Sequence, residues 1–277
     1  MNTAKRAAVL GSPIAHSLSP VLHRAAYAEL GLTDWTYGRF DVDEAGLPGF
    51  FKGLDASWAG LSLTMPLKRA VIPLLDEISA TARSVEAVNT VVITDGGRRI
   101  GDNTDIPGVV AALRERGLEE VGTAAILGAG ATASSALAAL AGICSGPVTV
   151  FVRSEARAGE MRDWGGRLGV EVRIADWADA DRALEAPLVI ATTPAGATDF
   201  LAPRVPDRPG TLFDVLYAPW PTSLAAAWGK HGGAVVSGLD LLLHQAVLQV
   251  ERMTGCAPAP LGAMRAAGER ALKETGV

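Results

Sequence analysis

The spacing of apolar positions changes rhythm about a third of the way along the chain. Before residue 102, short apolar runs alternate irregularly with helical stretches and turn formers. Ala7–Leu10 is an apolar run that leads into GSPIAHSLSP. Within that loop Ser19 followed by Pro20 has the form of an N-cap and first helical residue, and predicts a helix to about Leu30. Trp35–Val42 alternates as a half-buried strand does. Trp58–Thr64 predicts another strand, followed from Pro66 by a helix to about Glu77. Ala87–Thr94 and Arg98–Gly101 flank Asp95-Gly96-Gly97, the signal of a hairpin. A helix with Pro107 in its first turn starts at Thr104 or Asp105 and runs to about Arg116.

From about residue 121 the alternation is regular. Ala124–Leu127, Val148–Val152, Val170–Ala175, Leu188–Thr192, Thr211–Leu216 and Ala234–Val236 are the predicted strands, and helices at Leu239–Thr254 and Leu261–Glu274 close the chain. Alternation of this kind predicts an open parallel sheet covered by helices. The stretch from Val121 to Val152 carries no charge, and its length alone would allow a membrane span. It is mostly Ala, Gly, Ser and Thr, and holds Gly128, Gly130 and Pro147, so strand, turn, helix and strand of a buried sheet is the better reading.

Composition narrows the choice. A length of 277 residues suggests two domains, and 49% hydrophobic with 20% charged residues fits a folded chain. The net charge of −5 and a pI near 5.4 offer no basic field for nucleic acid or an anionic membrane. Two cysteines, Cys144 and Cys256, are too few for a disulfide scaffold and read as small buried residues in a reducing cytoplasm. His16, His23, His231 and His244 are scattered without metal spacing, so no metal is expected. The apolar run near the start is too short for a signal-peptide core.

Gly128-Ala129-Gly130-Ala131-Thr132-Ala133 fits the dinucleotide fingerprint directly after a strand and before an Ala-rich helix. The first glycine allows the turn, the second lets backbone approach a pyrophosphate, and the helix N-terminus faces the phosphate charge. The next strand, VTVFV, lacks the carboxylate that would accept from the ribose 2′-OH of NAD. It is followed by Arg153, Ser154 and Arg157, and two guanidiniums suit a 2′-phosphate, so NADP is the expected cofactor. The expected fold class is therefore α/β: an N-terminal α/β substrate domain, residues 1–102 with 238–277, and a doubly wound Rossmann-type NADP-binding domain, residues 103–237.

Three segments of the first domain look chemical. HSLSP sets the hydroxyls of Ser17 and Ser19 in one loop, able to hold a carboxylate or to cap the helix that follows. SLTMPLK puts Lys68, one of few lysines, in the first turn of a helix, where a cation opposes the dipole. AVNT and GDNTD place Asn89 and Asp105 at element ends beside the domain boundary, with Asp105 as a plain N-cap the bland alternative. GSPIAHSLSP, LTMPLK, AVNT, GDNTD, GAGATA, ATTPAG, DVLYAPWPT and SGLDLLLHQA, in this order, resemble the shikimate dehydrogenase family over nearly the whole chain.

The resemblance implies reversible NADPH-dependent reduction of 3-dehydroshikimate to shikimate in aromatic amino-acid biosynthesis. It implies Lys68 and Asp105 as the catalytic pair, and Ser17 and Ser19 with Tyr217 on the substrate carboxylate. Thr64, Asn89, Asp105 and Gln245 would bind ring hydroxyls, while Val215 and Gly238 would line the nicotinamide and Ser154 and Thr192 would join the cofactor contacts. Ser62, Val152 and Val215 depart from residues common in the family at those positions, and none removes a group the chemistry needs. In such a reaction a carbonyl receiving hydride becomes an alkoxide, which a lysine ammonium stabilises and protonates. Oxidation needs the same amine neutral, which favours alkaline pH. The rivals are a quinate/shikimate or aminoshikimate dehydrogenase using NAD, and a non-catalytic shikimate-binding regulatory protein. A methyltransferase is disfavoured by the missing acidic residue after VTVFV. A small-molecule substrate, a monomer or homodimer, and neither nucleic acid nor membrane complete the picture.

Overall fold

Two six-stranded sheets organise the structure, a computed structural model that describes residues 4–274. The chain divides into two units, one ending at Thr104 and resuming at Leu242, the other spanning Asp105–Leu241.

The first sheet is mixed. Its strands are β1 (Lys5–Gly11), β2 (Trp35–Asp41), β3 (Trp58–Leu63), β4 (Glu77–Ile78), β5 (Thr90–Ile93) and β6 (Arg99–Asp102), in the order β2-β1-β3-β5-β6-β4. β1 pairs in parallel with β2 and β3, and β5 runs antiparallel to both β3 and β6. The hairpin predicted around Asp95-Gly96-Gly97 is the β5–β6 connection, closed by Thr94 N–H to Arg98 O at 3.0 Å. β3 is buried at every position, which explains why its sequence shows no alternation. Helices α1 (Ser19–Glu29), α2 (Leu47–Lys52), α3 (Leu67–Ala70) and α4 (Ala80–Val85) belong to this unit.

Three local expectations are corrected here. Ser19 is not an N-cap: Leu18 already has helical φ and ψ, α1 begins at Ser19, and Pro20 falls at a position whose N–H has no helical partner anyway. The helix expected from Pro66 to Glu77 is only α3 and a short 3-10 turn at Ile72–Leu74, because Pro73 removes a donor and crowds the preceding turn. Ala87–Val88–Asn89 precedes the strand rather than joining it, and α4, capped by the Ser79 hydroxyl accepting from Ala82 N–H at 3.0 Å, was not foreseen.

The second sheet is all parallel. It comprises β7 (Ala124–Leu127), β8 (Val148–Val152), β9 (Val172–Asp176), β10 (Leu188–Ala191), β11 (Thr211–Asp214) and β12 (Ala234–Val236), ordered β12-β11-β10-β7-β8-β9. The order reverses at β7, as in a doubly wound fold. Helices α5 (Asp105–Glu115), α6 (Ala131–Leu140), α7 (Glu155–Leu168) and α8 (Ser223–Lys230) flank it, with 3-10 segments at Trp177–Glu185 and Asp199–Arg204. Ile126, Val150, Ile190 and Phe213 lie in a core with Leu137, Leu140 and Met161. The uncharged stretch is strand, turn, helix and strand of this sheet, and no described helix is long and apolar enough to cross a membrane. In this sheet strand ends differ from the sequence reading by up to two residues, because the ends of elements fray. Cys144 and Cys256 are free thiols, half-buried rather than fully buried as expected.

α9 (Gly238–Thr254) starts in the second unit and its residues from Leu242 onward belong to the first, as does α10 (Leu261–Glu274), which packs on α1.

Candidate active site

Parallel β1 and β3, with β5 reversed between β3 and β6, bring four chain segments to one edge of the first sheet. The loop 12–18 leaves the end of β1, Thr64 follows β3, Asn89 precedes β5, and Asn103 and Thr104 follow β6. Backbone bonds stitch the edge: Ser12 N–H to Met65 O at 3.0 Å, Leu63 N–H to Asn89 O at 2.8 Å, Thr64 N–H to Leu10 O at 3.0 Å, and Val88 N–H to Lys68 O at 2.8 Å. Lys68 is half-buried on α3, and its carbonyl is thereby tied to the residue just before Asn89. A four-residue helix aligns few peptide dipoles, so the dipole reading of Lys68 loses its footing.

Ser17 and Ser19 are held together in the loop that opens α1. The Ser17 hydroxyl accepts the Ser19 N–H at 3.3 Å, and the Arg39 guanidinium donates to the carbonyls of Ala15 and Ser17. His23, wholly buried, bonds the Ser19 carbonyl through Nδ1 at 2.9 Å and stacks on Tyr37 with centroids 3.9 Å apart. Burial pulls its pKa from 6.5 down to about 4, partly offset by the Ser19 bond, so the ring is neutral and its Nδ1–H is the donor.

Asn89 is 2% exposed and its amide is fixed from several sides. Its Oδ1 accepts from Thr104 N–H and from the Thr90 hydroxyl, each at 2.8 Å, and its Nδ2 donates to Thr104 Oγ1 at 3.0 Å. Gln245 on α9 is buried, donates to Leu242 O at 2.8 Å, and its Oε1 lies 3.5 Å from Thr104 Oγ1. Ser17, Ser19, Thr64, Lys68, Asn89 and Gln245 are thus all residues of the first unit.

In the second unit the fingerprint loop follows β7, at the strand where the order reverses. Gly128 has φ +109°, and a side chain there would press on Thr192 Oγ1, which donates to Leu127 O at 2.9 Å. Gly130 precedes α6 in extended backbone, and a Cβ there would meet no atom within 4 Å. Gly128 is therefore demanded by the fold, whereas Gly130 keeps open a space in front of the α6 N-terminus. Ala129, Ala131, Thr132 and Ala133 complete the loop and first turn, and Ala133 is fully buried in the core of this unit. Residues present fit a dinucleotide: backbone N–H groups at the start of α6 and the room left by Gly130 would take the pyrophosphate.

Past β8, Ser154 caps α7 by accepting from Arg157 N–H at 3.4 Å. The Arg153 guanidinium lies over the Trp177 ring, 4.8 Å from its centroid, and Arg157 pairs with Glu160 at 2.9 Å. Glu155 turns instead to Arg162, at 2.6 Å. After β11 the chain carries Val215 and Tyr217 through a loop tied by Asp214, which accepts from the Thr222 hydroxyl at 2.7 Å and Leu216 N–H at 3.1 Å. Burial pushes the Asp214 carboxyl above the usual range, against the pull of those two bonds. Gly238 donates its N–H to Leu216 O at 3.0 Å, and any side chain there would strike the Val215 carbonyl. Asp105, buried, opens α5. Among the described residues no group of three His, Cys, Asp or Glu could hold a metal ion.

Sequence reasoning passed over Tyr37, Thr90, Thr104, Trp177 and Gln249, and met Ser62 only as a departure from the family pattern. One signal was available: Gln249 lies one helical turn after Gln245 on an otherwise apolar stretch.

Comparison with known proteins agrees with these observations. A family model described as "Shikimate dehydrogenase substrate binding domain" matches residues 9–91, and one described as "Shikimate 5'-dehydrogenase C-terminal domain" matches residues 238–267. A shikimate dehydrogenase (NADP(+)) of Thermus thermophilus is 36% identical over 273 residues, covering 96% of this chain and 98% of that protein. The crystal structure of Mycobacterium tuberculosis shikimate dehydrogenase is 44% identical, with a TM-score of 0.85 over 96% of this chain and 99% of that one. A Thermus thermophilus shikimate 5-dehydrogenase, solved in complex with NADP(H) and shikimate, is 33% identical with a TM-score of 0.84, covering 96% of this chain and 99% of the other. Likeness at this identity, sustained along nearly the full length, places the chain in the shikimate dehydrogenase family.

Proposed function

We propose that this chain catalyses the reversible, NADP-dependent interconversion of 3-dehydroshikimate and shikimate in the cytoplasm. The observation that carries the reading is the gathering of Ser17, Ser19, Thr64, Lys68 and Asn89 on one sheet edge. The second unit adds a cradle whose Gly130 leaves room for a pyrophosphate.

When bound, NADPH supplies the hydride. The Ser17 and Ser19 hydroxyls hold the substrate carboxylate, and Asn89 Nδ2 donates toward a ring hydroxyl. Lys68 Nζ holds a proton for the carbonyl oxygen as negative charge develops there, and in the oxidation direction takes one from the hydroxyl, a contribution typically worth about 10²–10⁴-fold. Asp105 is assigned as the second catalytic group on the likeness of GDNTD. Arg153, whose guanidinium lies over the Trp177 ring, and Arg157 are the donors for a 2′-phosphate, with Ser154 and Thr192 fixing the backbone around the cradle. Asp214 and Gly238 shape the loop of Val215 and Tyr217 from within the second unit.

A spectrophotometric assay of shikimate and quinate, each with NADP and NAD, tests this. Shikimate with NADP is expected to be the best pair, with NADP favoured by about 10²-fold in kcat/KM through two partly exposed arginine contacts. Replacing Arg153 and Arg157 together by Ala should erase most of that preference by weakening NADP. Equal use of both cofactors by the unmutated protein would overturn the NADP assignment, and absence of shikimate turnover would overturn the activity.

A further inference from the structure

A row of buried hydroxyls and amides runs through the first unit and ends on Asn89. The Tyr37 hydroxyl, on β2, donates to Ser62 Oγ at 2.6 Å. Ser62, on β3, donates to Gln249 Oε1 at 2.8 Å. Gln249 Nε2 then donates to Thr90 Oγ1 at 3.1 Å and to the Asn89 carbonyl at 3.3 Å. Thr90 donates to Asn89 Oδ1 at 2.8 Å. Ser62 and Thr90 are register partners in the β3–β5 ladder, so their side chains share the sheet face on which Gln249 rests. Tyr37, Ser62, Gln249 and Thr90 are each less than 5% exposed.

We propose that Tyr37, Ser62, Gln249 and Thr90 form a positioning relay that fixes which way the Asn89 amide faces, and thereby sets the affinity of this edge for a substrate ring hydroxyl. The inference rests on the reading of Asn89 as a substrate-binding residue.

Tyr37, Ser62 and Thr90 have one hydroxyl hydrogen each, and in this chain each is committed to the next acceptor. Besides the Thr104 hydroxyl at 3.1 Å, Asn89 Oδ1 faces two closer donors, the Thr90 hydroxyl and the Thr104 N–H. Turning the amide over would set its NH₂ against both, leaving buried donors opposed and unsatisfied. The Nδ2 side is thus locked as the donor side, and a ring hydroxyl meets a group already turned to serve it. Packing alone does not call for this arrangement. Val at 90 and Leu at 249 would fill similar space with no polar groups to desolvate, and a buried network is justified only where all its members are satisfied. The relay's far end passes from Asn89 Nδ2 to Thr104 Oγ1, 3.5 Å from Gln245, a second candidate for ring hydroxyls.

The test is kinetic, with shikimate and NADP as the probes. Thr90→Val keeps the side-chain shape and removes the hydroxyl. It should raise KM for shikimate about tenfold, the worth of one well-placed hydrogen bond, with kcat and the KM for NADP nearly unchanged. Thr90→Ser, which restores the hydroxyl, should restore KM. In an Asn89→Ala background, Thr90→Val should add nothing further, because the relay acts through Asn89. An unchanged KM in Thr90→Val, equal effects of Val and Ser, or effects that multiply in the Asn89→Ala background would each overturn the relay. Should Thr90→Val fail to fold, Tyr37→Phe is read the same way: a raised shikimate KM supports the relay and an unchanged one overturns it. An unmutated protein that neither binds nor oxidises shikimate overturns the functional reading itself, whereas a working enzyme with insensitive variants overturns only the relay.

Discussion

The two sheets handle polar groups in opposite ways. In the second unit the strands are parallel, with interiors largely apolar apart from Asp214 at the end of β11, and the fingerprint loop and the start of α7 follow β7 and β8. Its cradle is backbone: a turn at Gly128, a gap at Gly130 and the first N–H groups of α6. In the first unit a polar row crosses the interior from Tyr37 to Asn89. On the proposed function, the difference follows from what each unit reads. A phosphate is large and fully charged, and any set of convergent N–H groups serves it. A pattern of ring hydroxyls needs side chains facing one way only, and holding them so requires partners behind them.

The sharpest way to separate the units is to remove chemistry from one and leave binding in the other. Lys68→Ala should lower kcat by about 10²-fold or more while moving KM for shikimate little, the mark of a group used in the transition state. Binding of NADP, measured by fluorescence titration, should not change. Near-normal turnover in the folded variant would remove Lys68 from its role.

A second contrast lies in pH. His23 has an ordinary value of 6.5 and a native value near 4, so the unfolded chain takes up a proton that the native chain refuses. The stability it contributes is full above pH 6.5 and is lost as pH falls toward 4, amounting to about 3 kcal/mol. Asp214 works in the opposite sense: with its native value raised, its contribution is full below 3.8 and lost as pH rises through that native value. Urea midpoints between pH 7.5 and 4.5 should fall less steeply in His23→Phe than in the parent. In Asp214→Asn they should fall more steeply. If His23→Phe keeps the parent slope, another group governs acid sensitivity.

The smallest effect belongs to Trp177. Its ring under the Arg153 guanidinium restrains a flexible cation, a contact worth about 0.5–1 kcal/mol at an exposed site. Trp177→Ala should raise the KM for NADP about two- to fivefold and leave that for NAD alone. Equal effects on both cofactors would show that Trp177 supports the adenosine site in general rather than the 2′-phosphate.

What could be read from the sequence divides along the same line. β7, β8 and β12 were located to the residue because apolar runs between glycine turns are local signals. The fingerprint loop was legible for the same reason. In the first unit, Pro73 ended a helix whose apolar spacing continued past it, and Leu18 took the cap position from Ser19. Lys68 and Asn89 could be nominated from residue type and family likeness. The partners behind Asn89 could not, since Ser62 meets Gln249 across 187 positions and Thr90 meets it across 159. No pattern within a window reports such pairs.

The unlike demands on Gly128 and Gly130 put the two positions under different kinds of selection. Gly128 answers to the chain itself, through its positive φ and the Thr192 hydroxyl pressed against it, and must persist in any descendant that folds this way. On the proposed function Gly130 answers to what lies in front of it, and once no nucleotide is needed no atom within 4 Å stands in the way of a Cβ there. Among relatives that have lost the lysine at position 68, drift should therefore reach position 130 early and position 128 last, so that the loop keeps a datable trace of when a lineage gave up its cofactor.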